Sequence, residues 1–214
     1  EMPNTNPPTS NKVEFKKKLD LAKNRMYCNY AFYFGATADN SDQLADLKKL
    51  EGCCGIKLFA GSSTGNLLVA KEKDIEKVFQ NSSKVVAVHS EDEEILNKNK
   101  KLIKKGDVHS HPVWRSEECA ISSTRRIVRI AELYKKKAHI LHVTTKQEVD
   151  FLSQHKGNIT FEITPQHLTI YAPDCYDKLG TYAQMNPPIR DKSHYDRLWY
   201  GVKNNLNDTI GSDH

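Results

Sequence analysis

The sequence predicts an α/β fold built on a parallel sheet or barrel. Two observations carry this: short apolar runs alternate with segments of helical periodicity, and only short turns separate them. The runs are apolar nearly throughout, as strands buried on both faces of a parallel sheet must be.

Taken in order, a Pro-rich start (Met2-Pro3-Asn4-Thr5-Asn6-Pro7-Pro8) precedes strands predicted over 29–34, 55–59, 84–88, 138–143, 159–163 and 209–211. Leu44, Leu47 and Leu50 mark one helix face; Ile75, Val78 and Phe79 mark a second, and Ile127, Ile130, Ala131 and Tyr134 a third. The last helix has Tyr195, Leu198, Trp199, Val202 and Leu206 on one stripe, which reads as core packing and not as a cofactor box. Two helix starts fit the capping box, in which a hydroxyl and a carboxylate three residues later satisfy free N–H groups: Ser90 with Glu93, and Thr145 with Glu148. No repeat and no linker divides the chain, so residues 1–214 read as one domain, incomplete at both ends because Glu1 is no initiator and the chain stops just after a strand.

Composition narrows the class. At 214 residues the chain can bury a sizeable core, and its 28% charged and 38% hydrophobic residues are those of an ordinary globular protein. No apolar run approaches the roughly 18 residues of a membrane span, and no basic segment leads into an apolar one at the start, so no membrane association and a cytoplasmic location are expected. The five cysteines (Cys28, Cys53, Cys54, Cys119, Cys175) are odd in number and form no CxxC pair, which favours reduced thiols. The net charge of +5 comes from lysines spread over helical segments such as 16–18, 98–105 and 135–137, a pattern of solvated faces that argues against a nucleic-acid partner.

In a (β/α)8 barrel the active site gathers at the C-terminal ends of the strands. Those tips carry Lys57, His89, His142 and Asp213, with Glu162 in a like position. A single histidine at a strand end is more often structural than a ligand, but four agreeing tips weaken that reading. Imidazole and carboxylate donors on one mouth suit a metal, most naturally zinc. Lys57, inside an apolar strand, must snorkel, pair with a carboxylate or lose its charge. A neutral amine could add carbon dioxide and serve as a carbamate ligand, and spacing alone leaves that reading and the salt bridge equally open. His109-Ser110-His111 has the spelling of a paired-histidine ligand motif, but it precedes a Pro and a helix instead of ending a strand, so it is not assigned to metal.

Six ordered segments together resemble dihydroorotase, in the cyclic-amidase branch of the amidohydrolase superfamily. They are Met2-Pro3-Asn4-Thr5-Asn6-Pro7, the GIKLFAGSSTGN run at 55–66, Val88-His89-Ser90-Glu91-Asp92-Glu93, Ile140-Leu141-His142-Val143-Thr144, Met185-Asn186-Pro187-Pro188-Ile189-Arg190 and Ser212-Asp213-His214. The resemblance implies a partial (β/α)8 TIM barrel of the metal-dependent hydrolase type, lacking its first strand and C-terminal part. It implies two zinc ions bridged by carboxylated Lys57, with His89, His142 and Asp213 as ligands and Glu162 as a further candidate. Asp213 would also shuttle a proton. Asn4 would hold the substrate carboxylate, with Thr64 and Arg190 as further substrate contacts. The family's HxH ligands would lie upstream of residue 1.

The implied reaction is reversible hydrolysis of dihydroorotate to N-carbamoyl-aspartate in pyrimidine biosynthesis. Two alternatives stay open: a sister cyclic amidase (hydantoinase, dihydropyrimidinase or allantoinase), or a non-catalytic dihydroorotase-like subunit of aspartate carbamoyltransferase. The implied partners are a small-molecule substrate and either a second copy of the chain or aspartate carbamoyltransferase.

Overall fold

The computed structural model describes residues 1–213; His214 of the Ser212-Asp213-His214 segment lies outside the described residues. Six parallel strands run in sequence order across one sheet: β1 Phe32–Gly35, β2 Cys53–Phe59, β3 Val86–His89, β4 Ala138–Ile140, β5 Ile159–Ile163 and β6 Thr209–Ile210. Helix α1 Lys12–Ala22 precedes the strands, and between them lie α2 Glu72–Asn81, α3 Glu93–Asn99, α4 His111–Trp114, α5 Glu117–Leu133, α6 Lys146–Leu152, α7 Pro165–Thr169, α8 Asp174–Leu179 and α9 Lys192–Lys203. This is a partial parallel (β/α) barrel, as the alternation predicts.

Alternate strand residues face opposite sides of a sheet. Ile56, Leu58, Val86, Val88, Ala138, Ile140, Phe161 and Ile163 point outward and join Ile75, Val78, Phe79, Ile127, Ile130, Ala131 and Leu198 from the helices in one core. The intervening residues face the barrel interior, and the register puts Lys57 between Gly35 on β1 and Ala87 on β3. Small neighbours on both sides make room for the long Lys57 side chain.

Local chemistry explains where several elements begin and where the predicted ones shift. The Thr145 capping box is present: its hydroxyl accepts from the Glu148 N–H while Glu148 receives the Thr145 N–H at 3.2 Å. The predicted box at Ser90 is not. Asp92 caps α3 instead, accepting from the N–H groups of Glu94 and Ile95, and the Ser90 hydroxyl is spent on Ser123 and Thr124. The Leu44, Leu47, Leu50 segment forms a 3₁₀ helix over Ser41–Lys49, where near three-residue spacing lets Leu44 and Leu47 bury on one side. β4 stops at Ile140, short of the predicted 143: His142 has a left-handed backbone (φ 39°) that interrupts the strand, although the Leu141 and Val143 N–H groups still donate to the Val88 and Glu162 carbonyls. The five cysteines are free thiols, as expected.

Candidate metal centre

Lys57 on β2, His89 at the end of β3, His142 just beyond β4 and Asp213 after β6 converge on a cavity of about 620 Å³ at the C-terminal ends of the strands. Asn4, Ser63, Thr64, Trp114, Arg115, Met185 and Asn186 also line it. His89 Nδ1 lies 3.2 Å from His142 Nε2, and the rings meet edge to face with centroids 4.9 Å apart.

That separation suits two ligands of one ion. With bonds of about 2.0–2.1 Å and tetrahedral angles, two imidazole nitrogens on one zinc are roughly 3.3 Å apart. Burial holds both imidazoles well below their usual pKa, with nearby Lys57 adding to the effect in each, so both are neutral and can offer lone pairs. The donor set therefore fits a divalent metal.

Lys57 is 2% exposed, and its Nζ lies 4.4 Å from the Phe59 ring centroid. Burial pulls its pKa down to about 7 despite the opposing pull of Asp213 and Glu162, so a large share of the side chain is neutral amine near pH 7. Burial also raises the Asp213 pKa, partly offset by Lys57. Glu162 accepts the His142 backbone N–H at 3.3 Å and lies 3.4 Å from His139 Nε2. Its carboxylate is thus engaged in holding the neighbouring strand, and it supports the left-handed turn that aims His142 at the cavity.

The expected substrate contacts divide. Asn4 donates to the Thr64 hydroxyl at 2.8 Å, and both line the cavity. Arg190 does not: buried at 5% exposure, it donates to the carbonyls of Arg115 and Ser116 and to the Thr144 hydroxyl, bracing the loop before α5. A guanidinium surrounded by backbone acceptors is satisfied where it is, and none of it reaches the mouth. His111 stays outside the donor set as well, with Nε2 2.8 Å from the Met185 carbonyl and Nδ1 receiving Gln184 at 3.0 Å.

Sequence reading passed over Glu91 and Arg115. The Glu91 carboxylate accepts from His89 Nε2 at 2.7 Å and pairs with the Arg115 guanidinium, which also donates to the Ser62 carbonyl. The spacing of two between His89 and Glu91 in an extended stretch was the available signal; Arg115 comes from a distant helix end and gave none.

A second grouping lies apart from the mouth. Among the described residues, Glu117, Asp191 and His194 bring three ligand-type atoms within 4.8 Å of one another, a cluster of a size that could hold a metal ion. Its histidine already has two partners: Nδ1 accepts the Lys146 N–H at 3.0 Å, and Nε2 lies 2.9 Å from Glu117.

No protein-family profile matches the chain. It is 30% identical over 228 residues to a dihydroorotase of Methanosarcina mazei and 29% identical over 226 residues to an L-hydantoinase of Paenarthrobacter aurescens. Both alignments cover all of this chain but only 49% and 48% of the relative, so the chain spans about half the length of the curated relatives it matches. Among solved structures, an L-hydantoinase (dihydropyrimidinase) from Arthrobacter aurescens superposes with a TM-score of 0.93 at 26% identity, over 100% of this chain and 49% of that one. Over its whole length the chain is similar to cyclic amidases of both the dihydroorotase and the hydantoinase type, a likeness that supports the cyclic-amidase branch of the amidohydrolase superfamily without singling out one member.

Proposed function

We propose that the protein carrying this chain is a zinc-dependent hydrolase of cyclic amides, and that a hydantoin-type ring is its substrate class. The observation that carries the reading is the pair of neutral histidines 3.2 Å apart in the cavity that Lys57 and Asp213 also line. His89, His142 and Asp213 would hold the metal. Lys57 would join them after its neutral amine adds carbon dioxide and sheds a proton, giving a carbamate with the charge and oxygens of a carboxylate. A metal held there would polarise the ring carbonyl and make a water nucleophilic near neutral pH.

Asp213 has the chemistry of the proton carrier. Its raised pKa suits a group that takes a proton from the attacking water and passes it to the departing ring nitrogen, general base and then general acid. Asn4, Thr64, Ser63 and Asn186 supply neutral donors and acceptors for ring amide groups, and Asn186 reaches Ser63 at 3.4 Å.

The lining bears on the choice of ring. Met2, Phe59, Trp114 and Met185 offer apolar surface. Among the described lining residues the cations are committed: Arg115 to Glu91 and Ser62, Lys57 to the metal side. That environment favours an uncharged ring with an apolar substituent over one bearing a carboxylate. Dihydroorotate is the second reading, supported by the Asn4–Thr64 pair at the position where the resemblance expects a carboxylate contact.

The test uses the complete protein, loaded with zinc in bicarbonate, and compares hydrolysis of 5-substituted hydantoins, dihydrouracil, allantoin and dihydroorotate. Preference for hydantoins supports the substrate class. Turnover confined to dihydroorotate selects the second reading, and absence of any turnover with zinc bound rejects hydrolysis.

A further inference from the structure

We infer that Glu91 and Arg115 form a positioning pair that decides which nitrogen of His89 faces the metal site. The inference rests on the metal-centre reading above and extends it to two residues outside the proposed ligand set.

An imidazole offers a lone pair to a metal through one nitrogen only, and the partner of the other nitrogen selects which one. Glu91 is fully buried, and its Oε2 faces His89 Nε2 at 2.7 Å while also accepting from the Arg115 guanidinium; an oxygen held as an acceptor in this way places the imidazole proton on Nε2. Nδ1 is then bare, and Nδ1 is the atom turned toward His142 Nε2. Glu91 itself is on the far side of the ring from that pair, which excludes it as a ligand to the same ion.

Arg115 makes the arrangement rigid. Its guanidinium contacts the same Glu91 oxygen that receives His89 and also bonds the Ser62 carbonyl, so it supplies the counter-charge a buried carboxylate needs and ties it to the loop leading to Ser63 and Thr64. The Arg115 backbone is fixed in turn by Arg190, which donates to its carbonyl at 2.5 Å. Gly61 permits the close approach: a Cβ there would sit 2.5 Å from the Glu91 carbonyl oxygen and 2.9 Å from its Cβ. Four elements of sequence, around residues 61, 91, 115 and 190, thus converge on the orientation of one imidazole.

Two readouts on the complete protein test this. In metal-free wild-type protein, nitrogen NMR of the histidine side chains should find His89 as the Nε2–H tautomer, a property that mere packing would not dictate. In zinc titrations, Glu91→Gln should bind roughly 10–100-fold more weakly than wild type, Glu91→Asp should recover part of the loss, and Arg115→Gln should weaken binding in the same direction. His89 found as the Nδ1–H tautomer, or wild-type zinc affinity in a folded Glu91→Gln protein, would overturn the inference. Wild-type protein that takes up no zinc would overturn the metal-centre reading, and the inference with it.

Discussion

The two faces of the same sheet are both buried, yet they are built from opposite chemistry. On the outer face Ile56, Leu58, Val86, Val88, Ile140 and Ile163 are each 0% exposed and belong to one apolar core. On the inner face, one residue away along the same strands, Lys57 and His89 are 2% and 1% exposed and meet polar partners or a cavity. The outer face gains free energy from area removed from water, about 25 cal/mol per Å². The inner face gives some of it back, because burying a lysine and a carboxylate desolvates polar groups. Stability and function are therefore separable by a single step in strand register, and substitutions on the two faces should fail in different ways.

The largest effect should come from the inner face. In the complete protein, Asp213→Asn is expected to lower kcat by roughly 10²–10⁴-fold, the range for loss of a positioned proton carrier, while the unfolding midpoint stays near wild type. A fall in stability with turnover intact would break the comparison.

On the outer face the opposite split is expected. Ile140→Ala should cost about 2–5 kcal/mol in denaturant unfolding, because the helices over β4 cannot collapse fully into the space left, and zinc content per folded chain should not change.

A third test concerns acid. His167 is buried with Nδ1 2.6 Å from the Thr164 hydroxyl and Nε2 3.2 Å from the Pro187 carbonyl, and burial lowers its pKa to about 4. Between that value and the ordinary 6.5 the unfolded chain binds the proton and the folded one does not. Stability contributed by neutral His167 is thus complete above pH 6.5 and is lost as pH falls toward 4. His167→Gln should flatten the stability curve in that window, and an unchanged slope would remove His167 from the account.

The smallest effect is local. Thr145→Ala removes the hydroxyl of the α6 capping box and should cost about 1 kcal/mol, measurable as a small shift in midpoint with no change in metal binding.

Where the sequence was read correctly, the physics was short-range. β5 falls on 159–163 as predicted, because four of its five residues (Ile159, Thr160, Phe161 and Ile163) are strand formers and need nothing distant to define them. The Thr145 box and the apolar runs that become β2 and β3 were legible for the same reason. What was not legible depends on residues far apart in the chain. Ser90 has the spelling of a cap, yet hydroxyls on α5 take its side chain and leave Asp92 to cap α3. Arg190 could have reached a substrate on charge alone, but the carbonyls of the loop before α5 satisfy it. That Lys57, His89, His142 and Asp213 share one cavity was legible because strand ends can be read locally; the Glu91–Arg115 contact behind His89 spans 24 residues and needs the fold.

The central claim is that a metal sits between His89 and His142. Anomalous diffraction at the zinc edge from crystals of the complete, zinc-loaded protein tests it directly. The account predicts a peak within coordination distance of His89 Nδ1 and His142 Nε2, adjoining Lys57. A peak confined to Glu117, Asp191 and His194, or none in zinc-loaded crystals, would contradict it.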